Sequence, residues 1–239
     1  MKNVLLIDSG SGGVNILKEC VKVCPYSNYL LYCDHENLPY GEKSKSELLE
    51  LTEKNLQKIH SFFKFDIVIF ACNTLTATVI DEMREKYKNI TFIGTVPAIK
   101  PAVLEFEEKD ILLIATKTTI KNNKLIGKYR NSEIRFKALN KLAPLIDEHL
   151  DEPEKIIPYL KKYLQGDFKA LVLGCTHYKA VEKIIKEIKP NVKIFDSANG
   201  VARRLISFIQ DRTFGYQVQI YCENSELRAK FWAYFNSEE

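Results

Sequence analysis

The sequence predicts an α/β protein built of two halves, each a mostly parallel sheet flanked by helices, and three observations predict it. Short apolar runs alternate with longer amphipathic ones, the pattern of parallel strands joined by crossover helices. Runs such as DIVIFA (66–71) and KALVLG (169–174) are apolar at consecutive positions, as strands covered on both faces must be. These two runs also form an internal echo: each passes through a small residue into a cysteine, then into a Thr-containing turn and a helical pattern. Cys72 and Cys175 lie 103 residues apart, close to half of the 239-residue chain.

In chain order, strands are predicted at Asn3–Asp8, Asn28–Cys33, Asp66–Ala71, Ile90–Gly94, Asp110–Thr116, Ile134–Leu139, Lys169–Gly174 and Val192–Asp196. Between the second and third, the segment Ser44–Phe63 carries Leu48, Leu49, Leu56, Ile59 and Phe63 at mostly three-to-four spacing, which makes one buried helical stripe. Ser44 followed by Glu47 reads as a capping box at its start. Similar patterns predict helices at Thr74–Lys88, Glu154–Leu164 and Tyr178–Lys189. No Gly/Ser linker or low-complexity tract divides the chain.

Composition excludes several classes. The chain is 46% hydrophobic and 28% charged, ordinary for a soluble globular protein. Its net charge of +4 comes from lysines spread along helical stretches, which reads as solvated surface and not as a nucleic-acid footprint. No apolar run approaches the ~18 residues of a membrane span, and MKNVLLIDSGSGG enters a fold without a signal-peptide core. The expected location is the cytoplasm. The six cysteines have no framework of spacings, so free thiols in a reducing compartment are expected. The histidines are scattered and no Cys/His set has zinc-ligand spacing, so no metal is expected.

The residues that can carry chemistry gather at strand ends, the edge where open α/β sheets bind ligands. Cys72 and Cys175 each sit where a strand hands over to a helix, whose unpaired N–H groups are expected to lower the thiol pKa. Either cysteine alone would read as a small buried residue; two in equivalent contexts, followed by Asn73-Thr74 and Thr176-His177, point to function. His177 is placed to orient a substrate carboxylate or to tune the nearby thiol, and alone would read equally as a polar turn residue. Asp8, before Ser9-Gly10-Ser11-Gly12-Gly13, is placed to hold an ammonium group or raise a thiol's basicity, while Ser9 and the turn amides could bind an anion. That turn lacks the third glycine of a dinucleotide fingerprint, and the chain has no P-loop. Pro39-Tyr40-Gly41 reads either as a rim over the cleft or as a surface turn.

Taken together, IDSGSGG (7–13), LPYGEKS (38–44), FACNTLTA (70–77), TVPAIKPAV (95–103) and VLGCTHY (172–178) resemble the glutamate racemases of the aspartate/glutamate racemase superfamily, over about residues 3–207. The resemblance implies two pseudo-symmetric α/β domains with the active site in the cleft between them. The first domain would span 1–95 with 208–239, and the second 96–207. It implies Cys72 and Cys175 as the catalytic pair, assisted by Asp8 and His177. It implies substrate contacts from Asp8, Ser9, Tyr40, Gly41, Asn73, Thr74, Thr116, Thr176 and His177. It also implies a homodimer that interconverts L- and D-glutamate without a cofactor, with no nucleic-acid or membrane partner, supplying D-glutamate for peptidoglycan.

The chain departs from the family pattern in places. Leu75-Thr76 stand where small residues are usual after CNT, and Lys179 stands where proline usually follows CTHY. A glycine expected in the Ala-Thr-x-x-Thr turn is replaced near Lys117, and Asp147 stands where Glu is common. Leu75 is expected to alter the packing behind Cys72, and Asp147 the electrostatics near the second thiol. Two other readings stay open on the sequence: a racemase of aspartate or another acidic amino acid, and a non-catalytic binding protein on the same fold.

Overall fold

The structure is a computed structural model that describes residues 1–237. The first half runs β1 (Lys2–Asp8), α1 (Gly12–Val23), β2 (Ser27–Cys33), α2 (Lys45–Phe62), β3 (Ile67–Phe70), α3 (Asn73–Lys86) and β4 (Thr91–Gly94). The second runs α4 (Ile99–Glu105), whose Ile99 and Ala102 pack on the second sheet, then β5 (Ile111–Ala115), α5 (Lys117–Asn122), α6 (Lys124–Lys128), β6 (Arg135–Ala138), α7 (Leu142–Glu148), α8 (Ile157–Tyr163), β7 (Ala170–Gly174), α9 (Glu182–Ile188) and β8 (Lys193–Phe195). The chain then continues through α10 (Ala198–Ile206), β9 (Val218–Cys222) and α11 (Ser225–Asn236).

Two parallel sheets result, with strand orders β4-β3-β1-β2-β9 and β6-β5-β7-β8. All eight predicted strands are present, and every residue of β3, β5 and β7 is buried, as consecutive apolar runs require. The ninth strand, β9, pairs parallel with β2 and brings the chain's end back to the first sheet. Phe231 of α11 and Ala198, Val201, Ala202 and Leu205 of α10 pack into the same core as Val4, Leu6 and Leu31. The predicted capping box exists: Ser44 Oγ accepts from the Glu47 N–H (3.3 Å) and the Ser44 N–H donates to Glu47 Oε2 (2.8 Å). All six cysteines are free and buried. Among the described residues, no helix is long and apolar enough to cross a membrane.

Strand order places the site. In the first sheet the chain leaves β1 for β2 on one side and returns to β3 on the other, so the sheet switches direction between β1 and β3. In the second it does the same between β5 and β7. The crevice outside the strand ends at such a switch point is where open α/β sheets receive ligands. Asp8 ends β1 and Cys72 follows β3; Thr116 follows β5 and Cys175 follows β7.

Candidate active site

The internal echo is a true geometric equivalence. Cys72 precedes α3 with φ −136° and ψ 123°; Cys175 precedes a 3-10 turn (Thr176–Val181) with φ −145° and ψ 135°. Both are extended residues at a strand-to-helix handover, and both line one cavity. Ser9, Tyr40, Gly41, Thr74, Thr116 and His177 line it too, together with Leu38, Pro39, Glu42, Asn140 and Ala143. Of the residues expected in the site, Asp8, Asn73 and Thr176 do not reach the wall and sit directly behind it.

Asp8 is fully buried and joins the two halves. Its Oδ2 accepts from Thr176 Oγ1 at 3.0 Å, and its Oδ1 from the Ser9 N–H at 2.7 Å. Burial pushes its carboxyl up to about 6, against the opposing pull of the His177 charge and these two hydrogen bonds. The expectation that a helix start lowers the thiol is corrected at Cys72. The Leu75 and Thr74 N–H groups do favour its thiolate, but burial and the neighbouring Asp8 charge outweigh them and push the thiol well up. Cys72 therefore rests as a thiol in this closed form.

Cys175 has a different neighbourhood. His177 Nδ1 lies 3.8 Å from its sulfur, and the ring's other nitrogen, Nε2, lies 3.5 Å from Asp147 Oδ2. Asp147 also accepts from the Ser11 N–H (3.2 Å to each oxygen) and from the Ser11 hydroxyl, and His35 Nδ1 stands 3.6 Å away. Burial works against both charges of this pair. The His177 charge, with contacts from His35 and Ser11, nevertheless holds Asp147 well below the usual carboxylate range, and Asp147 in turn holds His177 protonated well above its ordinary value. The result is a buried line from carboxylate through imidazole to sulfur.

This line explains the glycine turn. A Cβ on Gly10 would collide with Asp147 Oδ2, and one on Gly12 would lie 2.5 Å from Thr176 Oγ1. The glycines let the first half close on the second. The anion that the Ser11 amide holds is the chain's own Asp147, so the expectation of a ligand anion at the turn amides narrows to Ser9, which lines the cavity.

The loop after β2 forms the rest of the wall. Tyr40 Oη donates to Asp34 Oδ2 at 2.6 Å, and Asp34 also accepts from Asn55 (3.0 Å) and Asn37 (2.8 Å). Tyr40 is thus a buried cavity residue and not a surface turn. Thr74 and Thr116, from opposite halves, share a hydrogen bond of 2.9 Å. Asn73 Nδ2 donates to the Thr95 carbonyl at 3.3 Å, while its Oδ1 is buried with no donor among the described residues.

The departures have local roles. Leu75 packs beside Cys72 in the first half's core. Thr76 Oγ1 donates to the Phe70 carbonyl (3.3 Å) and accepts from the Thr95 N–H (2.9 Å), tying α3 to the end of β4. Lys179 forms ion pairs with Asp196 (3.0 Å) and Glu182 (2.5 Å), away from the cavity. The Lys117 N–H donates to Asn140 Oδ1 at 2.7 Å. Sequence reasoning missed Asp34, His35 and Asn140; Asp147, as a departure, and Ser11, within the anion-binding turn, had a signal.

Two parallel-sheet halves closing on a pair of equivalent strand-end thiols fit one class of enzyme, the isomerases described as Asp/Glu/Hydantoin racemases, whose family model matches residues 16–205. Among curated relatives, glutamate racemase of Clostridium acetobutylicum is 43% identical over 210 residues, covering 84% of this chain and 81% of the relative. In fold, the chain is similar to Escherichia coli glutamate racemase in complex with L-glutamate and the activator UDP-MurNAc-Ala, with a TM-score of 0.84 at 22% identity, covering 98% of this chain and 95% of the other. It is similar as well to glutamate racemase from Aquifex pyrophilus, with a TM-score of 0.76 at 25% identity over 99% and 96% of the two chains. The chain belongs to the glutamate racemases.

Proposed function

We propose that this protein interconverts L- and D-glutamate by a two-base exchange of the Cα proton between Cys72 and Cys175, without a cofactor. The observation that carries the reading is that equivalent strand ends of the two halves deliver both thiols to one closed cavity. In each turnover one cysteine, as thiolate, takes the proton as the Cα–H bond breaks, and the electron pair spreads into the α-carboxylate. The other, as thiol, gives its proton to the opposite face, so the two sulfurs end with their states exchanged. Cys175 is assigned to L-glutamate and Cys72 to D-glutamate.

The remaining residues have matching roles. His177, fixed by Asp147, exchanges a proton with Cys175; Asp8 serves Cys72 in the other half. Ser9, Thr74, Thr116, Tyr40 and Gly41, which line the cavity, hold the substrate and offset charge that develops on its α-carboxylate, and Asn73 and Thr176 join them once the cavity widens to admit it. The unpartnered Asn73 Oδ1 suits a substrate ammonium group. Two domains, 1–95 with 208–239 and 96–207, the last of these handing α10 back to the first core, working as a homodimer in the cytoplasm to supply D-glutamate for peptidoglycan, complete the proposal.

Alanine variants test it. Cys72→Ala and Cys175→Ala should each lower racemisation by about 10²–10⁴-fold. Cys20→Ala and Cys222→Ala, in the core of the first sheet, should leave it within about twofold, below the scale of a lost proton-transfer group. Assays with both enantiomers of glutamate and aspartate separate the substrates, and preferred turnover of aspartate would overturn the glutamate assignment.

A further inference from the structure

The geometry points to Thr118 as a positioning residue that holds the 38–43 loop shut over the substrate; the inference rests on the racemase reading and adds a residue to it. The loop supplies Leu38, Pro39, Tyr40, Gly41 and Glu42 to the cavity wall. Its own half holds it from one side, through Tyr40 on Asp34. From the other half, Thr118 Oγ1 donates to the Gly41 carbonyl at 2.5 Å. Among the described residues, no other hydrogen bond joins residues 38–43 to the second half. Thr118 lies outside the cavity lining and its hydroxyl is committed to the Gly41 carbonyl, so it acts through the loop.

Its position is fixed by the helix it starts. Thr116 Oγ1 accepts from the Thr119 N–H at 3.1 Å and caps α5, so Thr118 sits in a first turn with little freedom. Gly41 is pressed onto the same turn: a Cβ there would lie 3.2 Å from Thr116 Cβ. The backbone approach and the hydroxyl bond therefore act at one point.

The closed cavity holds about 20 Å³ of free space, room for roughly one water and for no amino acid. Substrate entry must lift the loop or part the halves, so the Thr118–Gly41 bond opens and re-forms in each cycle. A group that favours only the closed form raises apparent affinity by the closure free energy.

Thr118→Val and Thr118→Ser test this, the first removing the hydroxyl at near-constant shape and the second keeping it. Two quantities are measured: amide hydrogen exchange of segment 38–44 in the substrate-free protein, and kcat and KM for each enantiomer. The Val variant should exchange about 2- to 10-fold faster there and show a similar rise in KM with kcat within about twofold, the range one hydrogen bond supports. The Ser variant should match the parent in both. Unchanged exchange and KM in Thr118→Val, or a Ser variant as impaired as the Val variant, would overturn the assignment. Faster exchange in the Val variant of a protein that racemises neither enantiomer would refute the racemase reading while leaving the loop contact established.

Discussion

Asp147 and Asp8 are both fully buried carboxylates at the meeting of the two halves, and their surroundings drive them apart. Asp147 has an imidazole, a hydroxyl and an amide directed at it, and it stays charged. Asp8 has two hydrogen bonds and no adjacent cation in contact, and burial raises it to about 6. For Asp8 the folded value lies above the unfolded 3.8, so the folded protein keeps a proton that the unfolded chain releases. Its contribution to stability is therefore full below 3.8 and is lost as pH rises through about 6, on the order of 3 kcal/mol. Asp147 has the opposite sign: its contribution is present above 3.8 and lost on acidification. Activity should follow the Asp8 charge. kcat/KM should fall as pH drops below about 6, and Asp8→Asn, slower by about 10²-fold, should lose that limb. A limb unchanged in the Asp8→Asn pH profile would assign it to another group.

At the scale of elements, the buried strands were the most legible part of the sequence, because a strand covered on both faces is apolar at every position. β9 was not read, since only Ile220 and Cys222 of its five residues are buried on this edge strand. The expected helix at Glu154–Leu164 is a 3-10 turn (Pro153–Ile156) followed by α8, where Pro158 lacks the N–H that a continuous helix would need. The one expected at Tyr178–Lys189 likewise opens as a 3-10 turn that keeps Thr176 and His177 close to Cys175. In the site, the cysteines and the motif residues were legible, while Asp34, His35 and the partner that Ser11 holds were not. Ser11 and His35 matter through Asp147, far away in sequence, and Asp34 through bonds to Asn37, Tyr40 and Asn55 that no motif names. The return of α11 to the first sheet is testable by itself. Phe231 is fully buried in that core, so Phe231→Ala should cost about 3–5 kcal/mol in urea unfolding. A loss under about 1 kcal/mol, below the range for a truncated core aromatic, would place α11 elsewhere.

At the scale of the whole molecule, two sheets meet across one small cavity. Contacts across the closure are numerous and polar: Asp8 with Thr176, Ser11 with Asp147, Thr74 with Thr116, Thr118 with Gly41. In the proposed reaction, closing would exclude water from the reacting carbon and strengthen the donors around it. The two enantiomers are equal in free energy, so a variant may change kcat and KM in each direction but must change kcat/KM equally for both. The most direct test of the two-thiol relay is racemisation of L-glutamate in D₂O, with Cα–H followed by NMR from the first turnovers. Opposed bases predict D-glutamate that is deuterated at Cα from the outset, while the remaining L-glutamate keeps its protium. Early deuteration of the L-glutamate pool at the rate of product formation would show a single base working from one face, and would contradict the account.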